Sequence, residues 1–214
     1  MNRKIVTVIL CLIVVASFAW ARTVVVVVGA AMTAGAEPVV RTDAFASDEN
    51  PLATNWSTWS TGGNFTDMRA QSGVATASTD EFFDYAAYWD ADSFAANQFS
   101  SAKGYGTYFG VVVRVNGSSG YLFRMTTVGT FQVYKMPDWV KQGEDYTGVS
   151  FTDGQVIKLE ATGTSTTTLT PYVNGTALAT RVDSSSAIES GAVGIYCNGD
   201  YNVSKLDDWE GGEL

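Results

Sequence analysis

GQVIKLEATGTSTTTLTPYVNGTALATRVD, residues 154 to 183, reads as three strands in succession. From Val156 to Ala161 the side chains alternate, with Ile157, Leu159 and Ala161 on one face and Val156, Lys158 and Glu160 on the other. A Gly/Ser/Thr loop follows, and Thr167 to Val173 resumes an extended run. Asn174-Gly175 then closes a hairpin onto Thr176 to Val182, because both central residues of a type I′ turn need positive φ, which Asn and Gly tolerate best. The spacing predicts an antiparallel meander, and the rest of the chain agrees. Phe82 to Trp89, Tyr108 to Val115, Tyr121 to Val128 and Phe131 to Met136 are further β-rich runs joined by turn residues such as Asn116-Gly117-Ser118-Ser119-Gly120. An all-β sandwich is the predicted class. Two longer connections, Ala91 to Gly104 and Pro137 to Ser150, are expected to carry binding, since loops on a rigid sandwich usually do.

The 214 residues divide into an apolar N-terminal segment, 1–36, and one domain, 41–214, large enough for a full core. Asn2-Arg3-Lys4 followed by the apolar run Ile5 to Phe18 has the layout of a secretory signal, with A-x-A cleavage sites at Ala19-Trp20-Ala21 and Ala34-Gly35-Ala36. Uncleaved, residues 5–36 would instead serve as a membrane or assembly anchor, with its positive end in the cytoplasm. Either way the domain is expected outside the cell or on a surface.

Charge and composition exclude several chemistries. The formal net charge is −9, which argues against nucleic acid, whose phosphates are held by clustered Lys and Arg. There is no histidine, so Ser-His and Cys-His catalysis and His-ligated zinc are excluded. Of the two cysteines, Cys11 lies in the leader and Cys197 in a predicted strand, where it reads as a small buried apolar residue.

Asp43-x-Phe45, Asn50-Pro51-Leu52 and Asn55-Trp56 resemble the opening of concanavalin A-like (laminin G-like) jelly-roll domains of secreted bacterial and phage proteins. Tyr172-Val173-Asn174-Gly175, Ser190 to Ile195 and Leu206-Asp207-Asp208-Trp209 resemble their closing segment. The resemblance implies a two-sheet jelly roll with Phe45, Trp56 and Trp209 in its core. It also implies a structural Ca²⁺ near the first and last strands, held by Asp43 with Asp207 or Asp208. Glucanases of this fold are expected to show Glu-x-Asp-x-x-Glu on one strand; that spacing is absent here, and of the acidic clusters Asp80-Glu81-x-x-Asp84, Asp90-x-Asp92 and Asp207-Asp208-x-Glu210 the first lacks period-two spacing and reads as a solvated turn.

Sugar rings bind by stacking their C–H faces on flat, amphipathic side chains with polar groups at the rim. The candidate ligand-binding residues are therefore Tyr85, Tyr88, Trp89, Trp139 and Tyr146, each with core packing as the competing reading. The leading expectation is a non-enzymatic module that binds a glycan or cell-surface polysaccharide or mediates adhesion. The alternative is a structural subunit of a virion or filament, self-assembling through its apolar N-terminus, and a glycoside hydrolase ranks last.

Overall fold

The computed structural model describes residues 37–214 except 53, 62–64, 80, 82 and 200–202; the targeting or anchoring segment 1–36 lies outside the described residues. In chain order the strands are β1 (Val40–Asp43), β2 (Trp56–Thr58), β3 (Phe65–Thr66), β4 (Met68–Gln71), β5 (Val74–Ala77), β6 (Asp84–Trp89), β7 (Gln98–Gly106), β8 (Phe109–Asn116) and β9 (Ser119–Thr127). They continue with β10 (Thr130–Met136), β11 (Val140–Lys141), β12 (Tyr146–Thr147), β13 (Val156–Thr162), β14 (Thr167–Val173), β15 (Thr176–Ala177), β16 (Arg181–Asp183), β17 (Ala192–Asn198) and β18 (Ser204–Glu213).

They form two sheets. The first runs β15-β14-β13-β7-β18-β5-β4, with β1 also on β18 and β16 also on β14. The second runs β11-β10-β9-β8-β17-β6-β2, with β12 also on β10 and β3 on β6. The long pairings are antiparallel, and among the described pairs only the two-residue β3 runs parallel to its partner. This is the all-β jelly-roll sandwich expected from the sequence. Its core lies between the sheets, built from Ile157, Leu159 and Leu169 on one side and Val111, Val113, Phe123 and Ile195 on the other.

The meander from Val156 onward forms as its alternation dictates. Ile157 faces Val173 and Ala161 faces Leu169, and Asn174 (φ 48°) and Gly175 (φ 77°) make the turn. The third strand breaks in two, however, and the cause is Pro171. The Leu178 N–H donates to the Pro171 carbonyl at 2.8 Å, but proline has no N–H to return, so the ladder lapses between Ala177 and Arg181.

The larger departure is β7, which occupies the second half of the predicted connection Ala91 to Gly104. It is a nine-residue strand between β13 and β18, central to its sheet. Its core-side positions are Gln98, Ser100, Ala102 and Gly104, too small or polar to register as apolar alternation. Large neighbours require that smallness. A Cβ on Gly104 would lie 2.1 Å from the Phe109 ring, and Ser100 Oγ accepts from Trp209 Nε1 at 3.0 Å while donating to the Gly194 carbonyl of the opposite sheet at 2.6 Å. The other long connection, Pro137 to Ser150, carries only the short β11 and β12.

Candidate functional site

Three tryptophans pack between the sheets. Trp209 lies 4.7 Å from Trp56 and 5.4 Å from Trp89, stacked on the latter at 20°. Each buried indole N–H finds an acceptor: Trp56 on Asp43 Oδ2 (2.8 Å), Trp89 on Asp92 Oδ2 (3.0 Å) and Trp209 on Ser100. Trp89 is a buried core residue, stacked on Trp209 and in a T-shaped contact with Trp56. Asp43 uses its second oxygen on the Phe45 N–H (2.7 Å), while Asp207 accepts from the Asp208 N–H (2.7 Å) and Asp208 pairs with Lys103. Among the described residues no group of three acidic side chains converges as a metal site would require of side chains alone.

Tyr85 and Tyr146 are likewise enclosed. The Tyr85 hydroxyl donates to the Glu81 carbonyl (2.8 Å) and meets Thr79 Oγ1 at 2.7 Å. Tyr146 donates to the Ala179 carbonyl at 2.6 Å, with the Arg181 guanidinium carbon 4.4 Å from its ring centroid. It closes the sandwich edge between β12 and the β15–β16 connection. Cys197 is fully buried on the core side, where burial first and the charge of Asp84 second push its thiol pKa up, away from nucleophilic use.

Trp139 belongs to a second apolar cluster on the outer face of the second sheet, with Trp59, Phe65, Leu122 and Tyr196. It is half-buried at φ 53°, edge-on to Tyr134 (5.4 Å) and Phe65 (5.9 Å). The Arg124 guanidinium carbon sits 4.8 Å from its ring centroid and 4.9 Å from that of Tyr134, and Arg124 donates to the Tyr196 hydroxyl at 3.0 Å. Tyr196 in turn donates to Asp84 Oδ1 at 2.6 Å. Trp139 thus caps this face and holds the Pro137–Gln142 connection in place.

Tyr88 is the predicted aromatic that meets an open space. It is half-buried on the outer side of β6 and lines a hollow of about 480 Å³ with Asp90, Ser93, Asn116, Gly117 and Ser190. Asp92 also borders it, but Arg41 grips both its oxygens at 2.7 Å and ties β1 to the 90–94 connection. Asp90 accepts from Ser57 Oγ and is exposed. A ring, a carboxylate, an amide and two serine hydroxyls facing one hollow make an arrangement suited to a polyhydroxylated ligand.

The residues that brace the neighbouring segments were not singled out from sequence. Arg114, fully buried at a bulge in β8 (φ 55°), donates to the carbonyls of Ala96 (2.7 Å), Gly163 and Ile188 (2.6 Å) and to Thr167 Oγ1 (2.6 Å). Its position inside the apolar run Val111 to Val115 was the available signal: an arginine there must either face water or be fully hydrogen-bonded. Asp183 does related work from β16. It accepts from Tyr121 Oη (2.7 Å), Lys135 Nζ (2.8 Å) and the Ser185 N–H (3.0 Å), and Lys135 also donates to the carbonyls of Ser185 and Ser186.

Burial alone would raise the Asp183 pKa, but the hydrogen bonds from Lys135, Tyr121 and Ser185 outweigh it and hold the carboxyl below its usual range. Because the folded value lies below the unfolded one, this stabilisation is complete above the unfolded pKa of about 4 and is lost as pH falls through the folded value. Asp183→Asn is expected to lower stability by about 1–3 kcal/mol at pH 7, with the difference from wild type shrinking below pH 4. Urea unfolding of both proteins at pH 7 and pH 3 checks this; an equal difference at both would remove Asp183 ionisation from the account.

No protein-family model and no curated protein sequence matches the chain. Solved structures do match in fold. A prokaryotic β-1,3-1,4-glucanase (lichenase) from a mouse hindgut metagenome superposes with a TM-score of 0.55 at 9% identity, over 81% of this chain and 98% of its own. The carbohydrate-binding module CBM66 from Bacillus subtilis gives 0.51 at 12% identity, over 74% and 92%. A legume lectin-like domain from Entamoeba histolytica gives 0.50 at 10% identity, over 75% and 91%. The chain is a jelly-roll β-sandwich, similar in fold at low identity to glucanases, carbohydrate-binding modules and lectin-like domains. One such sandwich hosts hydrolysis and binding alike, so the fold leaves the choice to the site.

Proposed function

We propose that this jelly roll is a non-enzymatic, extracellular or surface-displayed carbohydrate-binding module whose ligand stacks on Tyr88. The observation that carries the reading is the Tyr88 ring, half-buried at an open hollow it lines with Asp90, Asn116 and Ser190. A glycosidase needs two carboxylates flanking one bond at a defined separation. In this hollow Asp92 gives both oxygens to Arg41, which leaves it no part in proton transfer or nucleophilic attack. The arrangement supports binding better than cleavage.

The test is a glycan array followed by titration calorimetry on the best ligand. Tyr88→Ala is expected to weaken binding by about 30-fold or more, the effect of removing a central aromatic anchor of about 2 kcal/mol, at a temperature where thermal unfolding shows the variant still folded despite the packing it loses against the outer apolar cluster. Sugar release from the bound polysaccharide, abolished by Asp90→Asn, would overturn the non-enzymatic reading.

A further inference from the structure

The Tyr88 hollow does not end at its own walls. It shares Asn116 and Ser190 with a second hollow of about 460 Å³, and that one shares Ser119 and Ile188 with a third of about 660 Å³. The third lies between the Pro137–Gln142 connection after β10 and the segment after β16, with Val140 and Val182 exposed on its two sides. The three hollows therefore adjoin in a row from Tyr88 past the β8–β9 turn to Val140, and together they outline a groove. We infer that this groove is a track for the interior of a linear, uncharged polysaccharide rather than a pocket for a chain end, a conclusion that rests on the carbohydrate-binding reading above.

Three features of the groove select that ligand. The first is charge. Its lysines are already committed, Lys135 to Asp183 at 2.8 Å and Lys141 to Asp145 at 2.5 Å, whereas Asp90, Asp138 and Glu189 face the groove on a chain of net charge −9. A uronic-acid or sulfated chain would meet net repulsion and no cation ready to pair with it. The second is wall chemistry. Ser93, Asn116, Ser119, Ser184 and Gln142 present hydroxyls and amides along the whole length, matched to a ligand that offers hydroxyls at every unit. A peptide docking by strand addition would need a long free strand edge, and these walls are mostly turns and connections. The third is rigidity. Asp183 and Lys135 fix residues 183–186, and Arg114 fixes the Ile188 carbonyl, so the shared wall is ordered before ligand arrives and costs little to organise.

The test uses neutral oligosaccharides of one to eight units from the cello-, laminari- and manno-series, titrated against the domain. In whichever series binds, affinity is expected to rise at least tenfold between two units and six. Val140→Ala with Val182→Ala, both exposed and distant from Tyr88, is expected to erase most of that gain while leaving the disaccharide unchanged; Tyr88→Ala is expected to weaken both. Equal affinity for two and six units, or a double variant that behaves as wild type on the hexasaccharide, would overturn the track and leave the Tyr88 site standing. Preferential binding of oligogalacturonate would overturn its neutral character. Binding of none of these series nor of any glycan on the array would sink the carbohydrate reading itself, and the track with it.

Discussion

Arg114→Met is expected to destabilise the domain by about 3–5 kcal/mol, because several buried acceptors lose their donor at roughly 1–3 kcal/mol each, partly offset by relaxation and water entry. For a domain of this size that lowers the melting temperature by on the order of 10 °C. The guanidinium is fully buried, and its bonds go to neutral acceptors on three separate segments, Ala96, Gly163 with Thr167, and Ile188. Arginine suits the position because its planar fork reaches several acceptors at once, and a lysine ammonium is a compact point donor on a flexible stem. Arg114→Lys should therefore recover only a minority of the loss despite conserving charge. The same substitution frees the Ile188 carbonyl in the groove wall, so glycan affinity should fall even at temperatures where the variant remains folded. Thermal unfolding and calorimetry on Met and Lys variants separate the two effects. A Lys variant as stable as wild type would show that charge alone suffices and that the multiple bonds contribute little.

What was legible in the sequence followed from side-chain period and turn chemistry. β13 and β14 paired because Ile157, Leu159 and Ala161 all need the same face, and β14 turned back into β15 because Asn174-Gly175 fits a single type of turn. β7 was illegible for the opposite reason. Its core face is written in Gln98, Ser100, Ala102 and Gly104, residues selected by the bulk of Phe109 and Trp209 lying against them, and no local pattern records what a distant strand contributes. The site divides along the same line. Composition and pattern singled out five aromatic residues, but accessibility is a property of the assembled sheets. Only the fold places Tyr88 at an open hollow while Tyr85, on the opposite side of the same strand, closes its hydroxyl onto Glu81 and Thr79. The acidic residues mislead in a related way. Asp43, implied as a calcium ligand by the resemblance, and Asp92, part of an acidic cluster in the sequence, are in the structure acceptors for tryptophan N–H groups, as burying indoles in a sandwich requires.

That role for the indoles makes Trp209→Ala the second large effect, about 3–5 kcal/mol. Trp209 is fully buried and in contact with both Trp56 and Trp89, and its strand β18 is held between β7 and β5 with β1 also paired to it. A strand locked on both edges cannot move in to fill the void, so the variant keeps most of its cavity. Gly211 worsens the loss, since a Cβ there would lie 2.5 Å from the Trp209 ring and the bare glycine backbone now loses the surface it packs on. Deleting the indole also strips Ser100 Oγ of its donor, although its own bond to the Gly194 carbonyl across the sandwich survives. Trp209→Phe separates these terms, because it restores most of the ring and not the N–H. Its cost should be about 1–2 kcal/mol, well under that of alanine, with urea unfolding giving both values and near-UV circular dichroism showing the loss of Trp89 stacking in the alanine variant alone. If the two variants proved equally unstable, the hydrogen bond to Ser100 rather than the filled volume would be what Trp209 supplies. The small residues of β7 would then need an explanation other than making room for it.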